Sequence, residues 1–244
     1  MNRKVIENIF EYTINEYITK CRNSQYYYNQ FSRNRDSFMV QPSYNKNEPP
    51  GRGEFEMHQI EEQSKVDLSD DEIDYVYDYT DEGYCRVNPM LWDNDDWHDA
   101  LNEGYVLESD VKYYEEEASV LDSIIEKVPR LTQDTILFHG GMFDGNLKVG
   151  DVSNWKGFMS TSYDEDVSKN IFTGNNLESP EYLVKIYAPK GTKGMVITGE
   201  LGQGNEHEFL LKSNQRFQVL SVNPDTLEAE ILLLPDNYRR GYDG

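Results

Sequence analysis

Hydrophobic positions along the chain follow two periods. Up to about residue 130 they recur three and four residues apart, as on the buried face of a helix, and beyond it they alternate or run in short clusters, as in strands. Ile6, Ile9, Thr13 and Tyr17, flanked by Phe10, Ile14, Ile18 and Cys21, predict an amphipathic helix over Arg3–Tyr26. From Gln41 to Lys65 the chain is polar and punctuated by Pro42, Pro49, Pro50, Gly51 and Gly53, which reads as a linker or an extended wrapping segment with a boundary near residue 65. Ser69 followed by Glu72 is a capping box ahead of Ile73, Val76, Tyr77 and Thr80. A further helix is expected from Ser109, as its cap, through Val111, Tyr114, Ala118, Leu121 and Ile125, ending before Pro129.

After Leu131 strands are expected at Thr135–Phe138, Phe158–Ser162, Tyr182–Ala188, Gly194–Thr198, Glu208–Lys212, Arg216–Val222 and Leu227–Leu234, with one helical stretch at Glu165–Phe172. Helices first and strands afterwards is the order of an α+β domain, since a doubly wound sheet would alternate them. The expected organisation is an N-terminal extension and linker over 1–65, a domain over 66–235 divided into a helical part (66–133) and a strand core (134–235), and a tail over 236–244.

Charge sharpens this division. The 244 residues hold 23 basic and 45 acidic side chains, a net charge of −22, which opposes binding of a nucleic-acid backbone. Residues 1–65 are neutral, 66–133 carry −16 and 134–244 carry −6. No stretch approaches the roughly 18 apolar residues of a membrane span, and the first residues lack the apolar core of a secretory signal, so a cytoplasmic protein without a membrane partner is expected. Cys21 and Cys85 fit neither a disulfide framework nor a zinc pattern and read as ordinary thiols. His58, His98 and His207 have no metal-ligand spacing, so no metal is expected.

Three stretches of the strand half carry candidate chemistry: Leu137-Phe138-His139-Gly140-Gly141, Gly157-Phe158-Met159-Ser160-Thr161-Ser162, and Asn205-Glu206-His207-Glu208-Phe209-Leu210-Leu211. In order and placement they resemble the mono-ADP-ribosyltransferase family of bacterial and phage toxins, in its Arg/Ser/Glu class. That class carries Arg-Gly at the end of a first strand, Ser-Thr-Ser on a second and Glu-x-Glu on a turn into a third. Ile73 to Leu91, with Tyr79-Thr80, Tyr84, Val87-Asn88 and Leu91, is similar to the family's early helical motif. The resemblance covers about 66–235 and implies an ADP-ribosyltransferase-like fold, N-terminal helices packed on a strand-rich split β-sandwich. It implies NAD as the substrate, cleaved with loss of nicotinamide.

Nicotinamide leaves as a neutral molecule, so no general acid is needed, and positive charge develops on the ribose. A fixed carboxylate stabilises it. By the resemblance that carboxylate is Glu208, with Ser160 holding it and Thr161 and Ser162 supporting the strand. If the chain is extended at 206–208, Glu206 and Glu208 share one side while His207 points away. A second carboxylate suits an arginine acceptor, whose guanidinium must be oriented and must lose a proton, and two close carboxylates should raise one pKa. The glycine-rich turn Thr198–Asn205 reads as a target-recognition loop.

The departure is His139 where the class has arginine. His139 is expected to hydrogen-bond a ribose hydroxyl or, if protonated, a phosphate, and the backbone of Gly140 to hold the nicotinamide amide. Arg86 and Asn88, with Arg130 or Lys148, are the candidates to replace the missing cation, Trp92 stands where a second family arginine is expected, and Phe172 is placed near the nicotinamide. The leading expectation is a toxin or effector that modifies protein arginine, with an antitoxin or immunity partner. The alternatives are a nucleic-acid acceptor and a catalytically inactive binding module.

Overall fold

The computed structural model describes residues 52–169, 181–199, 201–202 and 206–235. The helix expected at Arg3–Tyr26, Cys21, Phe172, the middle of the turn between Thr198 and Asn205, and the tail from 236 lie outside these residues.

Among the described residues, five α-helices precede the strands. Helix α1, Arg52–Gln63, occupies part of the segment expected to be a linker; in sequence Pro49, Pro50 and Gly51 come just before it, and proline is compatible with the approach to a helix start. Helix α2, Asp70–Asp78, starts at the expected capping box: the Ser69 hydroxyl accepts from the Glu72 N–H, and the Glu72 carboxylate accepts from the Ser69 N–H at 3.0 Å. A π-helical turn, Tyr79–Gly83, leads into α3, Tyr84–Trp92, which ends at Asp93 with φ of 53°. Asn94 caps α4, Asp95–Asn102. Helix α5, Glu108–Lys127, begins ahead of Ser109, since the Asp110 carboxylate takes the Leu107 N–H and moves the cap to Leu107.

The strands are β1 (Thr135–Met142), β2 (Val152–Trp155), β3 (Met159–Ser162), β4 (Glu181–Ala188), β5 (Gly194–Val196), β6 (Glu208–Leu211), β7 (Gln215–Asn223) and β8 (Glu228–Leu233), with one helical turn, α6 (Glu165–Val167), after β3. They are ordered β2-β7-β8-β4-β1-β3-β6-β5, antiparallel except for the parallel pair β4–β8. The sheet divides between β1 and β3, where a single position, Phe138 opposite Ser162, is in register, whereas β1 and β4 pair from Thr135 to Met142.

Burial shows why the two halves are stacked. Leu137, Val184, Ile186, Val219 and Ile231 from the first half share one core with Met159, Val196, Phe209 and Leu211 from the second. The opposite face of the second half, with Met195, Ile197 and Leu210, packs with Val76, Tyr79, Val87, Leu121, Ile124 and Ile125 of the helical layer. Every residue of β6 is therefore buried, while β4 alternates. The architecture is α+β, a split sandwich with helices on the outer face of its β3-β6-β5 half. No helix among the described residues is long and apolar enough to cross a membrane.

Two contacts close the edge at β5. Glu126 at the end of α5 takes hydrogen bonds from Lys193 and Lys212, which hold its carboxyl well down, at about 2. On α1, the buried Gln63 amide donates to the Val196 carbonyl and accepts from the Val196 N–H, both at 2.8 Å, as a neighbouring strand would. Helix α1 is thus part of the packed domain. Gln63→Ala leaves both Val196 groups buried and unpaired, so the unfolding free energy should fall by about 2 kcal/mol. Urea midpoints of parent and variant check this, and a difference of a few tenths would mean the amide does not replace a strand.

Candidate active site

Strands β3 and β6 build the site. They pair with Ser160 opposite Leu210 and Ser162 opposite Glu208, so Ser160, Ser162 and Glu208 share one face. The hydroxyls lock the two strands together. Thr161 Oγ1 donates to the Phe209 carbonyl, and Ser162 Oγ donates to the Glu206 carbonyl at 2.7 Å while accepting from the Asp164 N–H at 3.0 Å. The Ser160 hydroxyl lies close enough to the Glu208 carboxyl to pull its pKa downward.

The chain is not extended through the Glu-x-Glu turn. His207 has φ of 49°, the left-handed region that non-glycine residues seldom adopt. The two carboxylates still come together: burial and then the charge of Glu208 push the Glu206 carboxyl up, and burial pushes Glu208 up against the opposing Ser160 hydrogen bond. Glu208 is 4% exposed. No lysine or arginine among the described residues enters the electrostatics of either group. The pair therefore retains a proton well above the ordinary carboxylate range. His207 turns away from both, and its Nδ1 lies 2.9 and 3.0 Å from the Glu56 carboxylate oxygens.

His139 lies across β3, with its Nδ1 2.7 Å from the Ser160 carbonyl. A carbonyl only accepts, so Nδ1 carries the proton and the neutral ring presents Nε2 as an acceptor. Burial lowers its pKa, opposed by the Ser160 bond. A neutral ring of this kind suits a hydroxyl donor, the first of the two contacts expected of His139. Its ring meets Trp155 edge-on at 4.9 Å. A Cβ at Gly141 would lie 3.0 Å from Nε2, so glycine there keeps that nitrogen uncrowded. Gly140 is buried in β1 opposite Leu183.

Arg86 and Asn88 belong to the helical layer. Arg86 pairs with Asp78 and, at 3.6 Å, with Glu117, a fully buried carboxyl pushed up by desolvation against the pull of Arg86. The Asn88 amide accepts from the Phe158 N–H at 2.9 Å and donates to the Phe158 carbonyl at 3.1 Å, which anchors the residue before β3. A Cβ at Gly157 would lie 2.6 Å from Asn88 Oδ1 and 2.8 Å from Trp92 Nε1, so the loop passes these side chains only with glycine there. Arg130 pairs with Glu126 at 3.7 Å. Arg86, Asn88 and Arg130 are engaged within the scaffold and contact neither carboxylate.

Three further residues enter the picture. Tyr79 is fully buried in the helical layer that packs on the Glu208 face of β6, its phenol pushed far up by burial and then by the charge of Glu208. It is the first tyrosine of the early motif, a signal present in the sequence. Trp155 was not marked by pattern, because the four-residue β2 has no clear alternation. Glu56 fell in the segment expected to be a linker.

A family model described as ADP-ribosyltransferase exoenzyme matches residues 54–234. A curated relative, the NAD(+)--arginine ADP-ribosyltransferase EFV of Enterococcus faecalis, is 27% identical over 165 residues, covering 68% of this chain, and the chain spans 31% of that relative's length. Among solved structures, the ADP-ribosyltransferase Vis in complex with agmatine matches with a TM-score of 0.59 at 17% identity, over 82% of this chain and 91% of that one. C3stau2 from S. aureus with NAD matches at 0.52 and 16%, over 80% and 99%, and the toxin Plx2a from Paenibacillus larvae at 0.52 and 16%, over 75% and 96%. At these identities the structures share the fold.

The carboxylate pair sets a pH dependence of stability. The folded pKa values of Glu206 and Glu208 lie above the unfolded value of 4.5, so the folded state binds more protons and the pair's contribution is fully present below that value and lost as pH rises through the folded range. Glu208→Gln removes one charge of the pair. Thermal midpoints should show the variant gaining on the parent from mildly acidic to mildly alkaline pH; a parent that gained on the variant would reverse the sign.

Proposed function

The chain belongs to the ADP-ribosyltransferase exoenzyme family, and on that premise we propose that it transfers ADP-ribose from NAD to an arginine side chain of a target protein, releasing nicotinamide, as a toxin or effector. The observation that carries this is the pair Glu206 and Glu208, two adjacent carboxylates with no cation beside them among the described residues. A guanidinium supplies the missing counter-charge and presents planar donors that match carboxylates.

In the proposed reaction the bond between the ribose C1 and the nicotinamide nitrogen breaks, and its electron pair leaves with nicotinamide. Glu208, oriented by Ser160, faces the ribose and stabilises the cation that forms. His139 Nε2 accepts a hydrogen bond from a substrate hydroxyl. A guanidino nitrogen attacks C1, and its proton passes to Glu206, whose raised pKa suits a base near neutral pH. Gly140, Thr161 and Ser162 shape the strands around the reacting centre, and Asn88 acts through Phe158 on the position of β3. As domain limits we propose a catalytic unit that begins with α1, because Gln63 and Gln59 join that helix to β5 and to the end of α5.

Incubation of the full chain with radiolabelled NAD and a cell lysate should yield label that protease removes, nuclease spares and a free guanidino compound competes away. Label that survives protease and is lost to nuclease would point to a nucleic-acid acceptor, and absence of both label and NAD binding to an inactive module. Glu208→Gln should lower transfer by about 100-fold or more, and near-parental turnover in a folded variant would overturn its role. Glu206→Gln should reduce transfer to arginine more than NAD hydrolysis; equal losses would remove it from the acceptor side.

A further inference from the structure

The turn from Glu206 to Glu208 is held from two directions. Its backbone is tied to the sheet: Ser162 Oγ donates to the Glu206 carbonyl, the Tyr163 N–H donates to the His207 carbonyl at 3.0 Å and the Ile197 N–H to the Glu208 carbonyl at 3.1 Å. Its middle side chain is tied to a different element. Glu56 on α1 has a side chain 13% exposed, and its two oxygens lie 3.0 and 2.9 Å from His207 Nδ1. A carboxylate only accepts, so His207 donates from Nδ1. The charge of Glu56 also reaches the buried Tyr163 phenol, and the Tyr163 ring packs at 5.9 Å on Phe209, the residue after Glu208. Glu56 is therefore lodged between the residue that follows β3 and the turn that enters β6.

His207 needs such a support. A left-handed conformation at a residue with a Cβ persists only where its surroundings enforce it, and the backbone bonds fix carbonyl directions rather than the side on which the histidine ring lies. If the ring swings free, only the bonds from Ser162 and Tyr163 still oppose relaxation of the strained residue, so the peptide units on either side open more often and the Glu206 carboxyl turns with them.

We propose that Glu56 is a positioning residue for the Glu206–His207–Glu208 turn: by gripping the His207 ring from α1 it keeps Glu206 facing the space that Glu208 faces. The kinetic consequence rests on the transferase reading above, whereas the geometric one does not. Glu208 is anchored within β6 and by Ser160, so the loss of Glu56 acts on the acceptor step more than on cleavage of NAD.

The test uses the full chain with Glu56→Ala, Glu56→Gln, His207→Ala and the double variant Glu56→Ala/His207→Ala. In Glu56→Ala, amide hydrogen exchange should quicken at residues 206–208 and stay unchanged at 209–211, while Glu56→Gln, which still accepts from the ring N–H, stays near the parent. Transfer to a guanidino acceptor should fall about tenfold in Glu56→Ala with NAD hydrolysis within about threefold of the parent. The double variant should be no worse than His207→Ala, because both act through one contact. Unchanged exchange at 206–208, quickened exchange throughout β3 and β6, or additive losses in the double variant would each overturn the proposal. A parent devoid of both activities would sink the transferase reading, and the exchange measurement would still decide the role of Glu56.

Discussion

Holding the Glu206 and Glu208 carboxylates together in a poorly hydrated turn is unfavourable twice over, since each loses hydration and each repels the other. Much of the surrounding structure resists the obvious relief, in which the turn opens into water. Ser162 ties the turn to β3 by its backbone and Thr161 ties β3 to β6. Asn88 fixes the approach to β3, and Gly157 lets the loop pass close enough to α3 for that contact to form. The helical layer packs Tyr79, Phe158 and Leu210 against the face of β6 that carries Glu208, so the carboxyl lies beside closely packed apolar groups. Local instability at the site is sustained by good packing around it, as is common where geometry serves chemistry.

The acidic character of the chain has a related logic. Twenty acidic side chains lie within 66–133, yet the buried member Glu117 has Arg86 beside it, and Arg86 is shared with Asp78. Arg86, Lys127 and Arg130 of this layer are paired with its own carboxylates. A dinucleotide with two phosphates meets an opposing field, and His139, neutral and aimed at an acceptor role, does not relieve it. The proposed binding of NAD would then draw on hydrogen bonds and shape more than on charge.

Short-range features were legible in the sequence. Ser69 with Glu72 specified a helix start through bonds between residues three apart, and the clustered apolar residues of β1, β3, β4, β6, β7 and β8 marked their strands. Less was visible where the deciding partner is distant. Strand β2 exists because β7 pairs with it, and α1 is helical in a segment whose Pro and Gly content points the other way, with Gln63 serving Val196 far along the chain. Of the candidate site, the sequence marked Ser160, Glu206 and Glu208, which the pairing of β3 with β6 places near one another. Arg86 and Asn88 share a helix motif with the site residues, but their side chains are committed to Asp78, Glu117 and Phe158. The left-handed backbone at His207 could not be read from a histidine, because its cause lies in Ser162, Tyr163 and Glu56.

The single register position between β1 and β3 has a mechanical meaning. Hydrogen-bonded ladders resist shear, whereas a seam made of one pair and a layer of side chains offers a line along which two rigid plates can rock. His139 rides on the plate that ends at this seam and Glu208 on the plate that begins there, and the bond from His139 to Ser160 spans it. The distance between these two groups is therefore set by the tilt of two sheets, and a molecule bound across the seam would read that tilt as its own length.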